Sequence, residues 1–248
     1  MSFKGKTVLI TGGGTGLGAD MATRFAEAGA RVWIAGRTAS KLQEVASAHA
    51  DIHAAEADVT DETSVAALFD FIDTPDIVIA NAGASGSAPF ARTDLESWQA
   101  MIGVNLTGVF LTFREAMRRM GDGNWGRLIA VASTAGLKGY AYVAPYSAAK
   151  HGVVGLVKSL AQETAKTGIT VNALCPGFLD TEMTDRSIAN IMDKTGMDAA
   201  KARASLERMS PQRRLIRPDE VTAAALWLCG SGSEGVTGQA ISISGGET

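Results

Sequence analysis

The chain has only two cysteines among its 248 residues, Cys175 and Cys229. Two cysteines are too few for a disulfide framework, and they lack the paired spacing typical of zinc ligands. The three histidines, His49, His53 and His151, are scattered and offer no metal-ligand spacing either. We therefore expect two buried free thiols, a reducing compartment and no metal site.

The chain also lacks an excess of charge of either sign and a long apolar run. Its 23 basic and 26 acidic residues give a net charge of −3, which is too balanced for a nucleic-acid-binding surface. No stretch approaches the roughly 20 apolar residues of a membrane span, and the first residues lack the apolar region of a signal peptide. These absences predict a cytoplasmic protein with neither nucleic acid nor a membrane as a partner.

What the chain does have is an alternation of short β-branched runs with longer segments of helical periodicity. Its 46 % hydrophobic content is enough for the core of one large α/β domain. The predicted strands are residues 7–11, 31–35, 52–57, 76–80, 127–132, 169–174 and 240–244. This alternation predicts a single Rossmann-type, doubly wound domain over residues 1–248, with a seven-stranded parallel sheet flanked by helices.

One region, residues 181–211, interrupts the alternation because it contains no strand-like run. It is rich in Met, Lys, Arg and Ala, and residues 188–194 and 198–208 are compatible with helices. Long insertions in compact domains often serve function. We predict a helical substrate lid near residues 182–210, the alternative being a surface excursion that contacts no ligand.

Glycines are concentrated directly after the first predicted strand, in the sequence TGGGTGLG of residues 11–18. Glycine permits positive φ and close backbone approach, so a pyrophosphate can lie against amide groups at the positive end of the following helix. A tight turn alone would explain such a cluster, but a second predicted strand follows at the distance expected of a dinucleotide-binding unit. The residues predicted to hold the dinucleotide are Gly12, Gly14, Thr15, Gly16, Leu17 and Gly18.

The end of the second predicted strand indicates which dinucleotide is bound. An acidic residue there would bind the ribose hydroxyls of NAD, but the chain has Gly36 followed by Arg37. A guanidinium pairs with a 2′-phosphate, and Thr38 and Ser40 could add hydroxyl contacts. We predict NADP(H) as the preferred cofactor, with NAD(H) possible because Arg37 alone could be a solvated charge and Thr15 adds no basic reinforcement.

Tyr146 and Lys150 are separated by one turn of a predicted helix that begins near Pro145. Their side chains should therefore project from the same face. A phenol ionises near pH 10, and about 3 units of lowering are needed for acid/base work near neutrality. We expect the Lys150 ammonium to supply part of that lowering, although such a pair alone is common on exposed helices.

The order and spacing of several motifs resemble the short-chain dehydrogenases/reductases over essentially the whole chain. The motifs are the glycine sequence of residues 11–18, Asp58-Val59, Asn81-Ala82-Gly83, Asn105, Ser133-Thr134-Ala135-Gly136, Tyr146 with Lys150, and Pro176-Gly177. The resemblance implies a catalytic tetrad of Asn105, Ser133, Tyr146 and Lys150. It further implies that the cofactor is contacted by Asp58, Val59, Asn81, Ala82, Gly83, Tyr146, Lys150, Pro176, Gly177 and Thr181.

The roles implied for the tetrad are chemically coherent. Ser133 would polarise a carbonyl, and Tyr146 would exchange a proton with its oxygen while a hydride passes to or from the nicotinamide. Lys150 would also hold the nicotinamide ribose, and Asn105 would link it through water to solvent. Singly, Ser133 could be a strand-end cap and Asn105 could satisfy backbone groups in a helix predicted over residues 94–120.

The sequence indicates the substrate less clearly than it indicates the cofactor and the catalytic residues. Residues 146–155 and 175–178 look like the β-ketoacyl and polyketide ketoreductase branch, which favours a 3-oxoacyl thioester. Thr167 stands where carrier-protein reductases of this type often have Arg, so a CoA thioester or a free cyclic ketone is also possible. Three methionines lie in the predicted lid, Met183, Met192 and Met197. Their side chains would suit a broad apolar pocket or simply pack a helix.

Alternative functions on the same fold are an NAD(H)-dependent alcohol dehydrogenase, an epimerase or dehydratase, and a nucleotide-sensing protein with little turnover. The resemblance also implies a homotetramer, built from helices predicted over residues 94–120 and 145–166 and from the last strand.

Overall fold

A computed structural model describes residues 1–121 and 125–248 of the protein. Within these residues the strands are β1 (Thr7–Thr11), β2 (Arg31–Gly36), β3 (Ile52–Glu56), β4 (Ile77–Ala80), β5 (Trp125–Val131), β6 (Gly168–Pro176) and β7 (Ala240–Ile243). They pair in parallel in the order β3-β2-β1-β4-β5-β6-β7. The predicted Rossmann-like fold with a seven-stranded parallel sheet is confirmed, and the strand ends differ from the prediction by a few residues.

The helices that connect the strands lie on both faces of the sheet. They are α1 (Gly16–Glu27), α2 (Ala39–Ala46), α3 (Glu62–Phe71), α4 (Leu95–Ile102), α5 (Gly108–Met120), α6 (Ala144–Glu163), α7 (Glu182–Thr195), α8 (Ala199–Glu207) and α9 (Pro218–Cys229). In the described part of the chain, no helix is long and apolar enough to cross a membrane.

The strand order reverses between β1 and β4, which are neighbours in the sheet although two strands separate them in sequence. In open parallel sheets, ligands bind beyond the carboxyl ends of the strands at such a switch point. The glycine loop follows β1, and Asn81 follows β4. The topology therefore places both predicted cofactor segments at one edge of the sheet.

Alternation along each strand divides the core into two layers. On β1, Leu9 packs into one layer with Phe113 of α5, whereas Val8 and Ile10 pack into the other with Phe25 of α1. All five side chains are at most 1 % exposed. Because both faces of the sheet are covered, its inner strands read as continuous apolar runs.

The helix predicted over residues 94–120 is present but is not α-helical throughout. A π-helical turn, Gly103–Thr107, separates α4 from α5. The Nδ2 group of Asn105 donates to the carbonyl oxygens of Ala84 at 2.9 Å and Met101 at 3.1 Å. A π turn accommodates one extra residue in the helical ladder, and such turns are frequent at functional sites. The predicted helix is therefore confirmed, and the π turn at Asn105 is a feature that the sequence did not indicate.

The predicted lid region is helical, as expected, and consists of α7 and α8. α7 begins at Glu182, before the stretch expected from the sequence. The two helices have a small core of their own, in which Ile188, Ala202 and Leu206 pack with Leu215. This cluster is separate from the two layers that pack on the main sheet.

Candidate active site

The glycine loop after β1 leaves no room for a side chain at Gly12 or at Gly18. Gly12 has φ +66°, and a Cβ there would lie 2.8 Å from the Cα of Ala82. A Cβ on Gly18 would overlap the carbonyl oxygen of Gly12. At these two glycines the backbone therefore packs directly against residues that follow β4.

Thr11 and Asn81 fasten this loop to β4. The Thr11 hydroxyl oxygen accepts the backbone N–H groups of Asn81 and Ala82, both at 3.1 Å. In return the Asn81 amide donates to the carbonyl oxygens of Thr11 at 3.0 Å and Gly12 at 3.1 Å. Both amide protons of Asn81 are thus used inside the protein, and its role is to shape the loop.

The start of α1 is suited to an anion. Thr15 is the N-cap residue in extended conformation, its side chain makes no capping hydrogen bond, and the first turn contains no acidic residue. Free amide groups and the helix dipole at such an end attract phosphate. Thr181 lies against Gly16, 3.3 Å from the position of a Cβ there. These residues fit the pyrophosphate of a dinucleotide.

A pocket of about 480 Å³ lies beyond the ends of β2 and β3, lined by Arg37, Glu56, Ala57, Asp58 and Ser64. Hydrogen bonds from Thr60, with a smaller contribution from the charge of Arg37, hold the pKa of Asp58 below its ordinary value.

The other predicted cofactor residues near this pocket differ in exposure. Arg37 and Thr38 are exposed, and Thr38 is the N-cap of α2 without a side-chain capping bond. Val59 is instead 6 % exposed and packs against Gly108. Arg37, Thr38 and Asp58 are therefore available to an adenosine moiety, whereas the Val59 side chain is part of the core.

Tyr146 and Lys150 lie in the first turns of α6, and the Lys150 Nζ atom is 5.6 Å from the centre of the Tyr146 ring. Lys150 is 3 % exposed, and its Nζ atom donates to the Val131 carbonyl oxygen at 2.8 Å. Burial lowers the pKa of Lys150 to about 8. The pair shares one helix face, with the ammonium directed at the end of β5.

The surroundings of the Tyr146 phenol act on its pKa in opposite directions. Burial raises its pKa above the ordinary value, and a hydrogen bond with Ser133 only partly opposes that increase. The physical reason is desolvation, which disfavours phenolate and ammonium alike.

Ser133 caps a 3₁₀ turn, Thr134–Gly136, that follows β5. Its Oγ atom accepts the N–H group of Ala135 at 3.1 Å. A Cβ on Gly136 would lie 2.7 Å from the Lys150 carbonyl oxygen, so the turn packs directly on α6. This close contact brings Ser133 to Tyr146.

Both cysteines are buried and free. Cys175 lies beneath this site on β6, and burial raises the pKa of its thiol to about 11. The thiol is therefore protonated near neutral pH and is a packing group.

Asn105 and Lys150 meet at Gly83, just beyond β4. A Cβ on Gly83 would lie 2.9 Å from Asn105 Oδ1 and 3.7 Å from Lys150 Nζ. The structure thus brings all four predicted catalytic residues to one place, from the π turn, the end of β5 and the start of α6.

Residues 6–191 match the sequence model of a family described as short chain dehydrogenase. The protein is a short-chain dehydrogenase. It is an oxidoreductase, in agreement with the resemblance drawn from its motifs, and a nucleotide cofactor is part of the activity of this family. A curated relative, the cis-4-hydroxycyclohexanecarboxylate dehydrogenase of Sinomonas cyclohexanicum, is 37 % identical over 100 % of this chain and 98 % of its own length.

Solved structures extend the similarity. A single-residue variant of actinorhodin polyketide ketoreductase, with NADPH, has a TM-score of 0.91 and 32 % identity, and the match covers 100 % of this short-chain dehydrogenase and 99 % of that chain. The 3-ketoacyl-(acyl-carrier-protein) reductase of Brucella melitensis, complexed with NADH, has a TM-score of 0.88 and 30 % identity over 99 % of both chains. Ketoacyl reductases are thus among the close structural neighbours, with either nucleotide bound.

The sequence did not indicate the contacts that join the predicted lid to α2 and to the loop after β4. Lys41 pairs with Glu182 at 3.1 Å, and the lid residues Asn190 and Lys194 donate to Ser87 at 3.0 Å and 3.2 Å. These pairs join residues more than a hundred positions apart. Short-range sequence patterns do not predict these contacts, because exposed polar residues occur throughout any protein surface.

Proposed function

We propose that this short-chain dehydrogenase reduces a ketone, or oxidises the matching secondary alcohol, with NADP(H) as cofactor and Asn105, Ser133, Tyr146 and Lys150 as its catalytic tetrad. The observation that carries the proposal is the meeting of these side chains beside the glycine loop, at the carboxyl ends of β4 and β5. Separately each residue has a structural explanation. Their convergence at a topological switch point favours a reaction centre.

The chemistry of the residues supports reduction of a carbonyl. The bound nicotinamide supplies or accepts the hydride. Ser133 donates a hydrogen bond to the carbonyl oxygen, and Tyr146 delivers a proton to that oxygen as it becomes an alcohol. In oxidation Tyr146 removes the same proton.

Lys150 and Asn105 support proton transfer by Tyr146 in this proposal. Lys150 has three ammonium protons, of which one is bonded to Val131, so donors remain for the ribose of the nicotinamide. The buried Asn105 side chain lies beside it across Gly83 and connects Lys150 through water to solvent. The fall of the phenol pKa then depends on the charges that arrive with the cofactor.

The preference for NADP(H) over NAD(H) rests on Arg37. A strand end without a carboxylate, followed by an exposed guanidinium, favours a 2′-phosphate. Thr38 has a hydroxyl that no capping bond uses. Gly12, Gly14 and the N-terminal residues of α1 would hold the pyrophosphate, and Pro176, Gly177 and Thr181 would hold the nicotinamide end.

For the substrate we propose a 3-oxoacyl thioester or a related ketone. The similarity to polyketide and 3-ketoacyl reductases supports a thioester. The similarity to a dehydrogenase of a hydroxycyclohexane carboxylate supports a cyclic ketone as the second candidate. Asn190 and Lys194 of α7 donate hydrogen bonds to Ser87, in the loop after β4. These contacts support a substrate enclosed between α7 and that loop.

The remaining expectations stay predictions. They are one domain over residues 1–248, a homotetramer and a cytoplasmic location.

A substrate screen tests the proposal. The purified protein is mixed with NADPH or NADH and with 3-oxoacyl-CoA esters, cyclic ketones and sugars, and the absorbance of the reduced cofactor is followed. We expect stoichiometric oxidation of NADPH with a ketone and slower oxidation of NADH. An epimerase, a dehydratase or a nucleotide sensor would give no net oxidation, and that result on every ketone would overturn the proposal.

A further inference from the structure

Residues 244–248 follow β7 and fold back toward the segment after β5 that contains Lys138 and Tyr140. Gly245 has φ +65° and Gly246 has φ +91°, a left-handed conformation that favours glycine. The Ser244 hydroxyl oxygen accepts the backbone N–H group of Glu247 at 3.2 Å. The two glycines therefore reverse the chain, and Glu247 points back into the protein.

The Glu247 carboxylate is buried between two segments of the site. Its side chain is 3 % exposed, and Oε1 lies 3.0 Å from Lys138 Nζ and 2.7 Å from the hydroxyl of Tyr140. Its Oε2 atom is 3.6 Å from the position of a Cβ on Gly177. Burying a carboxylate is costly unless it is paired and hydrogen-bonded, and here both conditions hold.

The phenol of Tyr140 connects Glu247 to the turn that carries Ser133. Its hydroxyl is 2.7 Å from both Glu247 Oε1 and Thr134 Oγ1. An ionised carboxylate can only accept, so the phenol donates to Glu247, and the Thr134 hydroxyl is left to donate to the phenol oxygen. Burial and the carboxylate raise the pKa of Tyr140, which keeps its proton in place.

Thr134 transmits this restraint to the reaction centre. It is 3 % exposed, it directly follows Ser133, and its carbonyl oxygen accepts the N–H groups of Leu137 and Lys138. The same turn is pressed on α6 through Gly136. A shift of Tyr140 would therefore move the turn and with it the Ser133 hydroxyl.

We propose that Glu247 is a positioning residue, which holds the Ser133 turn in place through Tyr140 and Thr134. The inference rests on the proposed function, because that function gives Ser133 its catalytic role. Glu247 has no contact with substrate in this assignment. It determines how well Ser133 is aligned with Tyr146.

Kinetics of Glu247→Ala, Glu247→Gln and Tyr140→Phe test the proposal. Misplacement of a reacting group by about 1 Å costs on the order of 100-fold in rate, so we expect kcat for ketone reduction to fall about 10- to 100-fold in Glu247→Ala. Glu247→Gln keeps an acceptor for Tyr140 and should retain most activity. The Kd for NADPH, from quenching of protein fluorescence, should stay unchanged in all three. Glu163→Ala removes an exposed glutamate at the end of α6 and serves as the control.

A double-mutant cycle separates positioning from a general loss of stability. Because Glu247 acts through the Tyr140 hydroxyl, the double variant Tyr140→Phe/Glu247→Ala should lose no more kcat than Glu247→Ala alone. Fully multiplicative losses would overturn the connection. So would a lowered Tm accompanied by an unchanged kcat at temperatures where the variants are folded.

Hydrogen exchange gives a readout that needs no substrate. In the cofactor-free protein, peptides covering residues 133–140 should exchange at least about 10-fold faster in Glu247→Ala and Tyr140→Phe than in the wild type, with β1 and β4 unchanged. If the wild type reduces no ketone, the proposed function fails, and this comparison still decides whether Glu247 holds the turn. Unchanged exchange in both variants would overturn the inference.

Discussion

Lys150 on α6 and Val131 on β5 are joined by a hydrogen bond of 2.8 Å from the ammonium to the carbonyl oxygen. The bond ties the helix that carries Tyr146 to the strand that leads to Ser133. It also gives the buried ammonium a neutral partner, and within the described residues no carboxylate contributes to its pKa. The burial of the Lys150 ammonium therefore lowers the free energy of unfolding of the protein.

Because of this cost, we expect Lys150→Met to be more stable than the wild type at neutral pH. The pKa of about 8 in the folded protein is below the ordinary 10.5, so the unfolded chain binds more protons between these values, and wild-type stability rises with pH across that window. At pH 7 we expect the variant to have a free energy of unfolding higher by up to about 3 kcal/mol. The gain should shrink as the pH approaches 10.5.

Urea unfolding at pH 7 and at pH 10 measures this difference. Lys158→Met, an exposed lysine of the same helix, is the control and should show no such pH dependence. A Lys150→Met protein that is less stable than the wild type at pH 7 would contradict the assignment of a desolvation cost.

Tyr146→Phe should abolish proton transfer while leaving the nucleotide site intact. We expect kcat to fall by a factor on the order of 100 to 10,000, the usual contribution of a general acid, with the Kd for NADPH retained. Tyr142→Phe removes the hydroxyl of a tyrosine that is 65 % exposed and is the matched control. Full activity of Tyr146→Phe would refute the assigned acid.

Arg37→Asp should reverse the cofactor preference. The carboxylate repels a 2′-phosphate and can bind ribose hydroxyls, so the ratio of kcat/KM for NADPH to that for NADH should fall by about 100-fold or more. Arg208→Asp makes the same charge change at an exposed residue after α8 and should leave the ratio near the wild-type value. An equal ratio in both variants would mean that Arg37 does not contact the phosphate.

Gly18→Ala should damage both the fold and the nucleotide site. Its Cβ would overlap the Gly12 carbonyl oxygen and lie 2.6 Å from Asn81 Nδ2, and neither group can yield without moving the loop. Overpacking of this kind costs about 1–3 kcal/mol or more, and we expect a lower Tm together with weaker binding of both NADPH and NADH. Gly235→Ala meets nothing within 4 Å and should change neither measurement. Equal Tm values for the two variants would show that the loop can relax.

Much of this site could be predicted from residues that lie close together in the sequence. The glycine run after a β-branched segment specifies a strand, a turn and a helix, because glycine adopts the left-handed backbone at Gly12 and Gly16 without strain. The one-turn spacing of Tyr146 and Lys150 specifies a shared helix face. These features depend on neighbours within a few residues.

Other features had no local signal. The π turn at Asn105 depends on hydrogen bonds to Ala84, which is 21 positions away in the sequence. The raised pKa of Tyr146 depends on burial, and burial is a property of the packed site. The spacing of Tyr146 and Lys150 in the sequence indicates that they are neighbours, but it contains no information on how far each group is desolvated.

The sequence by itself determined the order of strands and helices, the glycine loop and the identity of the family, since these follow from short-range periodicity, backbone permissiveness and motif spacing. Only the tertiary structure decided how Glu247 meets Tyr140 more than a hundred residues away, and that Asn81 is committed to shaping the loop. The physical reason is that hydrogen bonding and desolvation act between groups close in space, and folding alone sets which groups those are.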